Sequence, residues 1–355
     1  MKRRLVSTVL TVAMMSVALA GCGNSPTSET TTPEPAEEDS EPESSPQEES
    51  DAEETAQEEN VPEAAGDAMV IGFDMNANTC PYCLKFANLI EKYATEAGFK
   101  AIITQSDGDV ATQISNAESM LVNGATIISG IWGDKDACLP IIDACIDYDA
   151  VCISTLTSLA DEGNGYGKYI YLGSENYDGG YLQGEWLAKN LPEGAGIWYL
   201  SSAAGDQQCI DRQEGMEKAL EDAGRTDVEI VAFEYTDNMM DQGLEVMENW
   251  LQAYDTIDCV VGSADLSVLG AIEAAKAADR MDNTIWVGLD GQDVALESIQ
   301  NGEMDMTVYQ DAESQAIALI DVFKQIRDGK DASEIDDVLI PFKAITSENV
   351  GEFVE

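Results

Sequence analysis

The chain contains no histidine among its 355 residues. That absence removes the Ser-His-Asp triad, the Cys-His pair and every histidine-ligated metal site. Basic residues are scarce as well: 18 Lys and Arg stand against 68 Asp and Glu, a formal net charge of −50. A field of that sign repels nucleic acid and anionic lipid surfaces. It says little about a small ligand, because most surface charge is solvated. Long apolar runs are missing too, apart from Leu5 to Ala20. That run is too short and too interrupted by Ser and Thr to read as a membrane span.

Lys2-Arg3-Arg4 precede the run and Gly21-Cys22 follow it, the layout of a secretory signal over residues 1–21. Leu19-Ala20-Gly21-Cys22 resembles the bacterial lipobox, in which the cysteine receives a lipid and becomes the mature N-terminus. Cys22 is therefore the expected lipidation site. Residues 22–67 hold 16 acids and no Lys, Arg or aromatic residue. Such a stretch cannot bury enough apolar surface to offset its ordering entropy, so a disordered acidic stalk is expected. From Ala68 onward 52 acids face 15 basic residues, about −37.

Beyond the stalk, strand and helix patterns alternate as βαβ units do. Strand-like runs fall at Met69–Met75, Lys100–Thr104, Thr126–Gly130, Ala150–Ser154, Tyr169–Leu172, Gly196–Leu200, Val228–Tyr235, Cys259–Gly262, Thr284–Leu289 and Asp305–Tyr309. Amphipathic segments between them include Leu84–Ala97, Ala111–Asn123, Tyr181–Asn190, Arg212–Ala223, Leu244–Tyr254 and Leu269–Ala278. The pattern changes near Gly173-Ser174, and the final helix Ser314–Arg327 with the closing segment Val338–Thr346 is expected to stitch two halves together. The expected fold class is α/β: two doubly wound parallel-sheet lobes joined by a multi-strand hinge. The lobes are expected at 68–174 plus 311–340 and at 175–310 plus 341–355. Among the strands, Ile285-Trp286-Val287-Gly288-Leu289-Asp290-Gly291 runs apolar residues into an acid and a glycine. Ligands of open α/β sheets bind just outside such C-terminal strand ends, so Asp290 is a candidate acceptor.

Several anchors in order give the resemblance its content. Val70-Ile71-Gly72-Phe73 leads into Cys80-Pro81-Tyr82-Cys83. Leu172-Gly173-Ser174-Glu175-Asn176 follows, and Arg212-Gln213-Glu214-Gly215-Met216 opens a helix. Gly262-Ser263-Ala264-Asp265, Val287-Gly288-Leu289-Asp290-Gly291 and Thr307-Val308-Tyr309-Gln310 complete the set. From Met69 to Val354 the chain resembles the type I periplasmic (solute-) binding proteins of the ribose-binding-like group. That resemblance implies recognition without turnover, hence no enzyme and no cofactor. It implies that Arg212, Asp290 and Gln310 read vicinal hydroxyls as fork donor, acceptor and two-way amide.

The departures from the family pattern bear on the ligand. Leu156-Thr157 stands where sugar-binding relatives often carry an Asp-Arg pair. Ile131, with Trp132 beside it, replaces an Asn. Ala264 replaces another Asn, and the aromatic pair is reduced to Tyr82 with Cys83 in its partner's place. The expected ligand therefore has one hydroxyl-rich face and one flatter or more apolar face, as in a deoxy sugar, a nucleoside-like compound or a furanose. Tyr82, Cys83, Trp132, Thr157, Arg212, Ala264, Asp290 and Gln310 are the expected ligand-binding residues.

Eight cysteines are present, and with Cys22 reserved for lipid an odd number remains, leaving at least one unpaired in a monomer. Cys80-Pro81-Tyr82-Cys83 reads like a glutaredoxin active site, between a strand and a helix that would lower the first thiol's pKa. Yet no second, strand-preceding proline faces it; Pro140 lies in a helix-like stretch. A disulfide between Cys80 and Cys83 suits an oxidising exterior. A zinc site from Cys80, Cys83 and Cys209 would lack a fourth ligand. Cys138, Cys145 and Cys152 read as small core residues, and Trp198, Trp286, Trp186 and Trp250 as packing residues. Trp132, just past a strand end, is expected at the cleft.

Together these readings describe an extracytoplasmic lipoprotein, a monomer tethered to the bacterial membrane, that captures a sugar-like solute and delivers it to an ABC permease. Nucleic acid and metal play no part. The rival readings are a sensor of the same fold for a membrane kinase or chemoreceptor, a CPYC thiol oxidoreductase, and a metal receptor.

Overall fold

The computed structural model describes residues 68–77, 80–160, 163 and 165–354. The signal, the lipobox with Cys22 and the acidic stalk lie outside the described residues.

The alternation read from the sequence forms two six-stranded sheets. The first contains β1 (Val70–Asp74), β2 (Lys100–Thr104), β3 (Ala125–Ile131), β4 (Val151–Thr155), β5 (Tyr169–Gly173) and β11 (Val338–Leu339), in the order β2-β1-β3-β4-β5-β11. The second contains β6 (Gly196–Ser201), β7 (Glu229–Tyr235), β8 (Cys259–Gly262), β9 (Ile285–Asp290), β10 (Met306–Tyr309) and β12 (Lys343–Thr346), in the order β7-β6-β8-β9-β10-β12. All neighbours run parallel except β10 and β12. Every residue of β4, β6 and β8 is buried, as helices on both faces of a parallel sheet require.

The closing segment is expected as one piece and is found as two. Val338–Leu339 adds to the first sheet and Lys343–Thr346 to the second, with Pro341 between them. Proline has no N–H for a ladder, so pairing breaks there and the chain changes sheets. Two other crossings lie at Ser174–Glu175 and Gln310–Asp311. Helix α9 (Ala312–Arg327) then returns to the first sheet, where Phe323, Leu319 and Ala316 pack with Phe86 and Ile90 of α1 (Pro81–Glu96). Hydrogen bonds tie the crossings together. Ile340 N–H donates to the Gly173 carbonyl at 2.8 Å, Ser174 Oγ to the Ile340 carbonyl at 2.5 Å, and Gln315 Nε2 to Ser174 Oγ at 2.9 Å.

Helix starts differ from the sequence reading. Helix α1 begins at Pro81 rather than Leu84, capped by Cys80. The helix expected from Arg212 begins at Gln207, capped by Asp206. Both first turns border the gap between the sheets; that of the second is largely polar, whereas that of α1 already buries Tyr82 and Cys83.

Candidate ligand-binding cleft

Both sheets direct their C-terminal strand ends toward one cavity of about 510 Å³. From the first sheet come Asn76, Tyr82, Cys83, Ile131 and Leu156; from the second come Arg212, Asn238, Ala264, Asp290 and Gln310.

Arg212 belongs to helix α5 (Gln207–Asp222), whose buried stripe is Cys209, Arg212, Met216, Ala219 and Leu220. A guanidinium thus occupies a core position of an amphipathic helix. Helix α4 (Asn176–Asn190) packs closely on α5, and Gly180 makes this possible: a Cβ there would overlap the Arg212 carbonyl. This approach brings Asn176 against Arg212. Arg212 Nε donates to Asn176 Oδ1 at 3.1 Å and Nη1 to the Ser263 carbonyl at 2.6 Å. Asn176 Nδ2 in turn donates to the Leu156 carbonyl at 2.7 Å, so the arginine is braced from both sheets.

Asp290 ends β9 with φ +122°, a region that L side chains rarely adopt and that costs of order 1–3 kcal/mol. Its Oδ1 lies 3.7 Å from Arg212 Nη1, and its Oδ2 accepts Gln292 Nε2 at 3.2 Å. The ion pair is buried without a direct hydrogen bond, so both groups keep bonding capacity for an occupant. Burial pushes the Asp290 carboxyl up to about 6, against the pull of Arg212 and Gln292. Beneath it Asp265 is fully buried. Its oxygens accept Thr307 Oγ1 at 2.6 Å and Gln292 N–H at 2.8 Å. Burial, then repulsion from Asp290, holds Asp265 well above the usual carboxylate range.

Gln310 is 3 % exposed. Its Oε1 accepts Arg212 Nη2 at the long distance of 3.5 Å, and its Nε2 has no partner. A buried amide donor without a partner carries a desolvation penalty that an occupant can relieve. Opposite, Tyr82 is buried with its hydroxyl donating to Gln315 Oε1 at 2.7 Å. Its polar end is thereby satisfied, and Tyr82 still lines the cavity.

Six of the eight sequence-expected residues come together here: Tyr82, Cys83, Arg212, Ala264, Asp290 and Gln310. Thr157 does not. It lines a neighbouring cavity of about 280 Å³, shared through Leu156 and Gln208, and its hydroxyl has no partner. Trp132 does not either, which corrects the expectation. It is fully buried beside Met120, Cys138 and Ile141. Side chains alternate across a strand, so Ile131 at the end of β3 lines the cavity and Trp132 turns to the helix layer.

Asn238, Gln208 and Asp134 line the cavity and were not singled out from sequence. Asn238 follows β7, so the strand-end rule that found Asp290 could have found it. Its Oδ1 accepts Ser263 Oγ at 2.8 Å. Cys80 and Cys83 form a disulfide. Cys138, Cys145 and Cys152 are free and buried, packed in one apolar cluster.

Comparison with known proteins agrees with this architecture. Residues 71–331 match the family described as periplasmic binding protein domain. A putative rhizopine-binding protein of Rhizobium meliloti is 28 % identical over 302 residues, covering 81 % of this chain and 94 % of that one. The ribose import binding protein of Haemophilus influenzae is 28 % identical over 233 residues, covering 66 % and 77 %. Among solved structures, an ABC transporter solute-binding protein from Bacillus halodurans with bound myo-inositol superposes with a TM-score of 0.73. It is 28 % identical, with 80 % of this chain and 96 % of that chain covered.

Proposed function

The chain belongs to the periplasmic binding protein family, and on that premise we propose that it captures a neutral, polyhydroxylated solute between its lobes for an ABC importer. The observation that carries this reading is the incomplete bonding of three buried groups in one cavity walled by both lobes. Arg212 and Asp290 lie 3.7 Å apart, and Gln310 Nε2 is unpartnered. Adjacent hydroxyls of a sugar or cyclitol supply both donors and acceptors to such a set. Tyr82, Ile131 and Leu156 on the opposite wall suit a C–H face.

Neutrality follows from charge. Among the described residues, Asp107, Asp134, Asp206, Asp237 and Asp290 line the cavity, with Arg212 as its single cation. A phosphorylated or carboxylated solute would meet repulsion there. A relative named for ribose import and a solved structure with bound myo-inositol accord with a neutral polyol. A solute touching both walls stabilises the arrangement in which the lobes close on it, and closure is the state a permease can read. The domain acts outside the cytoplasm as a monomer, held to the membrane through lipid on Cys22. The tether raises its effective concentration at the permease.

Calorimetric titration with D-ribose, D-allose, myo-inositol and D-ribose 5-phosphate tests the reading. Saturable binding is expected for a neutral compound and none for the phosphate ester. Tighter binding of the phosphate ester would overturn it.

A further inference from the structure

Cys80 and Cys83 stand apart from the other described thiols. Cys138, Cys145, Cys152, Cys209 and Cys259 are free and buried, out of reach of solutes. Cys80 and Cys83 are joined, and both line the ligand cavity. Cys83 is 6 % exposed, whereas Cys80 is only half-buried. Cys80 is therefore the more accessible residue of the pair on the cleft side.

Little of the fold depends on this bond. It bridges two intervening residues, so it removes little entropy from the unfolded chain. The start of α1 is held by other means. Pro81 occupies the first turn, Leu84 N–H donates to the Cys80 carbonyl at 3.0 Å, and Tyr82 is anchored through Gln315. Cys83 N–H also donates to Cys80 Sγ at 3.2 Å. A sulfur capped by an N–H at a helix start leaves readily as a thiolate. The bond is thus redundant for structure, accessible, and chemically disposed to exchange.

We propose that Cys80–Cys83 is a thiol–disulfide exchange site set into the wall of the ligand cleft, opened by a dithiol reductant and shielded when the cleft is occupied. A thiolate of the reductant attacks Cys80 Sγ. The Cys80–Cys83 bond breaks, its electron pair leaves on Cys83 Sγ, and a mixed disulfide joins the reductant to Cys80. The reductant's second thiol then attacks its own sulfur in that bond and releases Cys80 as the capped thiolate. Two electrons pass to the protein, the reductant becomes a disulfide, and its two thiol protons are taken up by Cys80 and Cys83. The shielding half rests on the solute-capture reading; the exchange half does not. By linkage, whatever protection a ligand gives the disulfide state, the redox state returns as a change in affinity.

The test uses the folded full-length chain, treated with dithiothreitol and then iodoacetamide, with peptide mapping of the labelled cysteines. Label is expected on Cys80 first, then Cys83, with the five buried thiols unmodified until the chain is unfolded. Failure of Cys80 to label in the folded chain, or labelling of the five at a similar rate, overturns the exchange site. A Cys83→Ser variant isolates the shielding. A polyol among D-ribose, D-allose and myo-inositol that raises Tm is expected to slow Cys80 alkylation about tenfold or more. A polyol that raises Tm and leaves that rate unchanged overturns the shielding. If none raises Tm, the solute-capture reading falls, and the labelling pattern of the folded chain still decides the exchange site.

Discussion

Asn176 binds the guanidinium of Arg212 through its Oδ1 at 3.1 Å while its Nδ2 donates to the Leu156 carbonyl at 2.7 Å. One amide at the first crossing therefore positions the main donor of the second lobe against a carbonyl of the first. Replacing it removes a charge-assisted bond of about 1.5–3 kcal/mol and frees Arg212 to rotate. Asn176→Ala is expected to weaken polyol binding by about 10- to 100-fold at 25 °C, measured by calorimetry. Unchanged affinity would mean that Ser263 and Gln310 suffice to hold the guanidinium.

Asp290 is expected to make stability and binding depend on pH in opposite directions. Its carboxyl titrates near 6 in the fold, raised by burial, against roughly 3.9 in an unfolded chain. Because the folded state holds the proton more tightly, its contribution is full below about pH 4 and is lost as pH rises through about 6. Asp265, raised by burial and then by Asp290, acts in the same direction and extends the loss upward. A ligand hydroxyl donating to Asp290 needs the ionised form, so affinity should fall by up to about tenfold per unit below pH 6. Asp290→Asn should weaken binding and abolish that slope. Titrations and thermal melts across this range check both signs.

Gln310 is expected to contribute to an occupant more than to the fold. Its Nε2 is unpartnered and its Oε1 holds only the long 3.5 Å bond from Arg212 Nη2, so removing the amide forfeits little protein hydrogen bonding. Gln310→Met is expected to lower polyol affinity about tenfold or more while chemical denaturation shifts by less than about 1 kcal/mol. A large loss of stability would assign Gln310 to structure.

Trp132 presents the opposite case. It is fully buried in the helix layer of the first lobe. Trp132→Ala is expected to destabilise by about 3–5 kcal/mol, with the affinity of the folded fraction little changed. Denaturant unfolding beside calorimetry separates the two effects.

These contrasts show which parts of the molecule were legible in the sequence. Buried parallel strands need continuous apolar runs, so Ile285–Asp290 could be found with its acid at the functional end. Arg212 was legible through the Arg-x-x-Gly-apolar element of the family resemblance, whereas its place in the buried stripe with Cys209, Met216, Ala219 and Leu220 comes from the structure. A position just past a strand end suggests the cleft for Trp132, but the strand's alternation carries one residue further and turns it to the helix layer. The start at Gln207 was missed because its first turn is largely polar, and the start at Pro81 because Cys80-Pro81-Tyr82-Cys83 reads as a cleft loop before the helix. Asn238 lies beyond the end of β7, within reach of the strand-end rule, whereas Gln208 sits in a helix first turn whose composition marks no ligand.

A crystal structure of the protein grown with a neutral polyol that it binds tests the central claim most directly. We expect the solute between the two sheets, within hydrogen-bonding distance of Arg212, Asp290 and Gln310 and against Tyr82. A solute bound outside that cavity, or held there without contact to Arg212 and Asp290, would contradict the assignment.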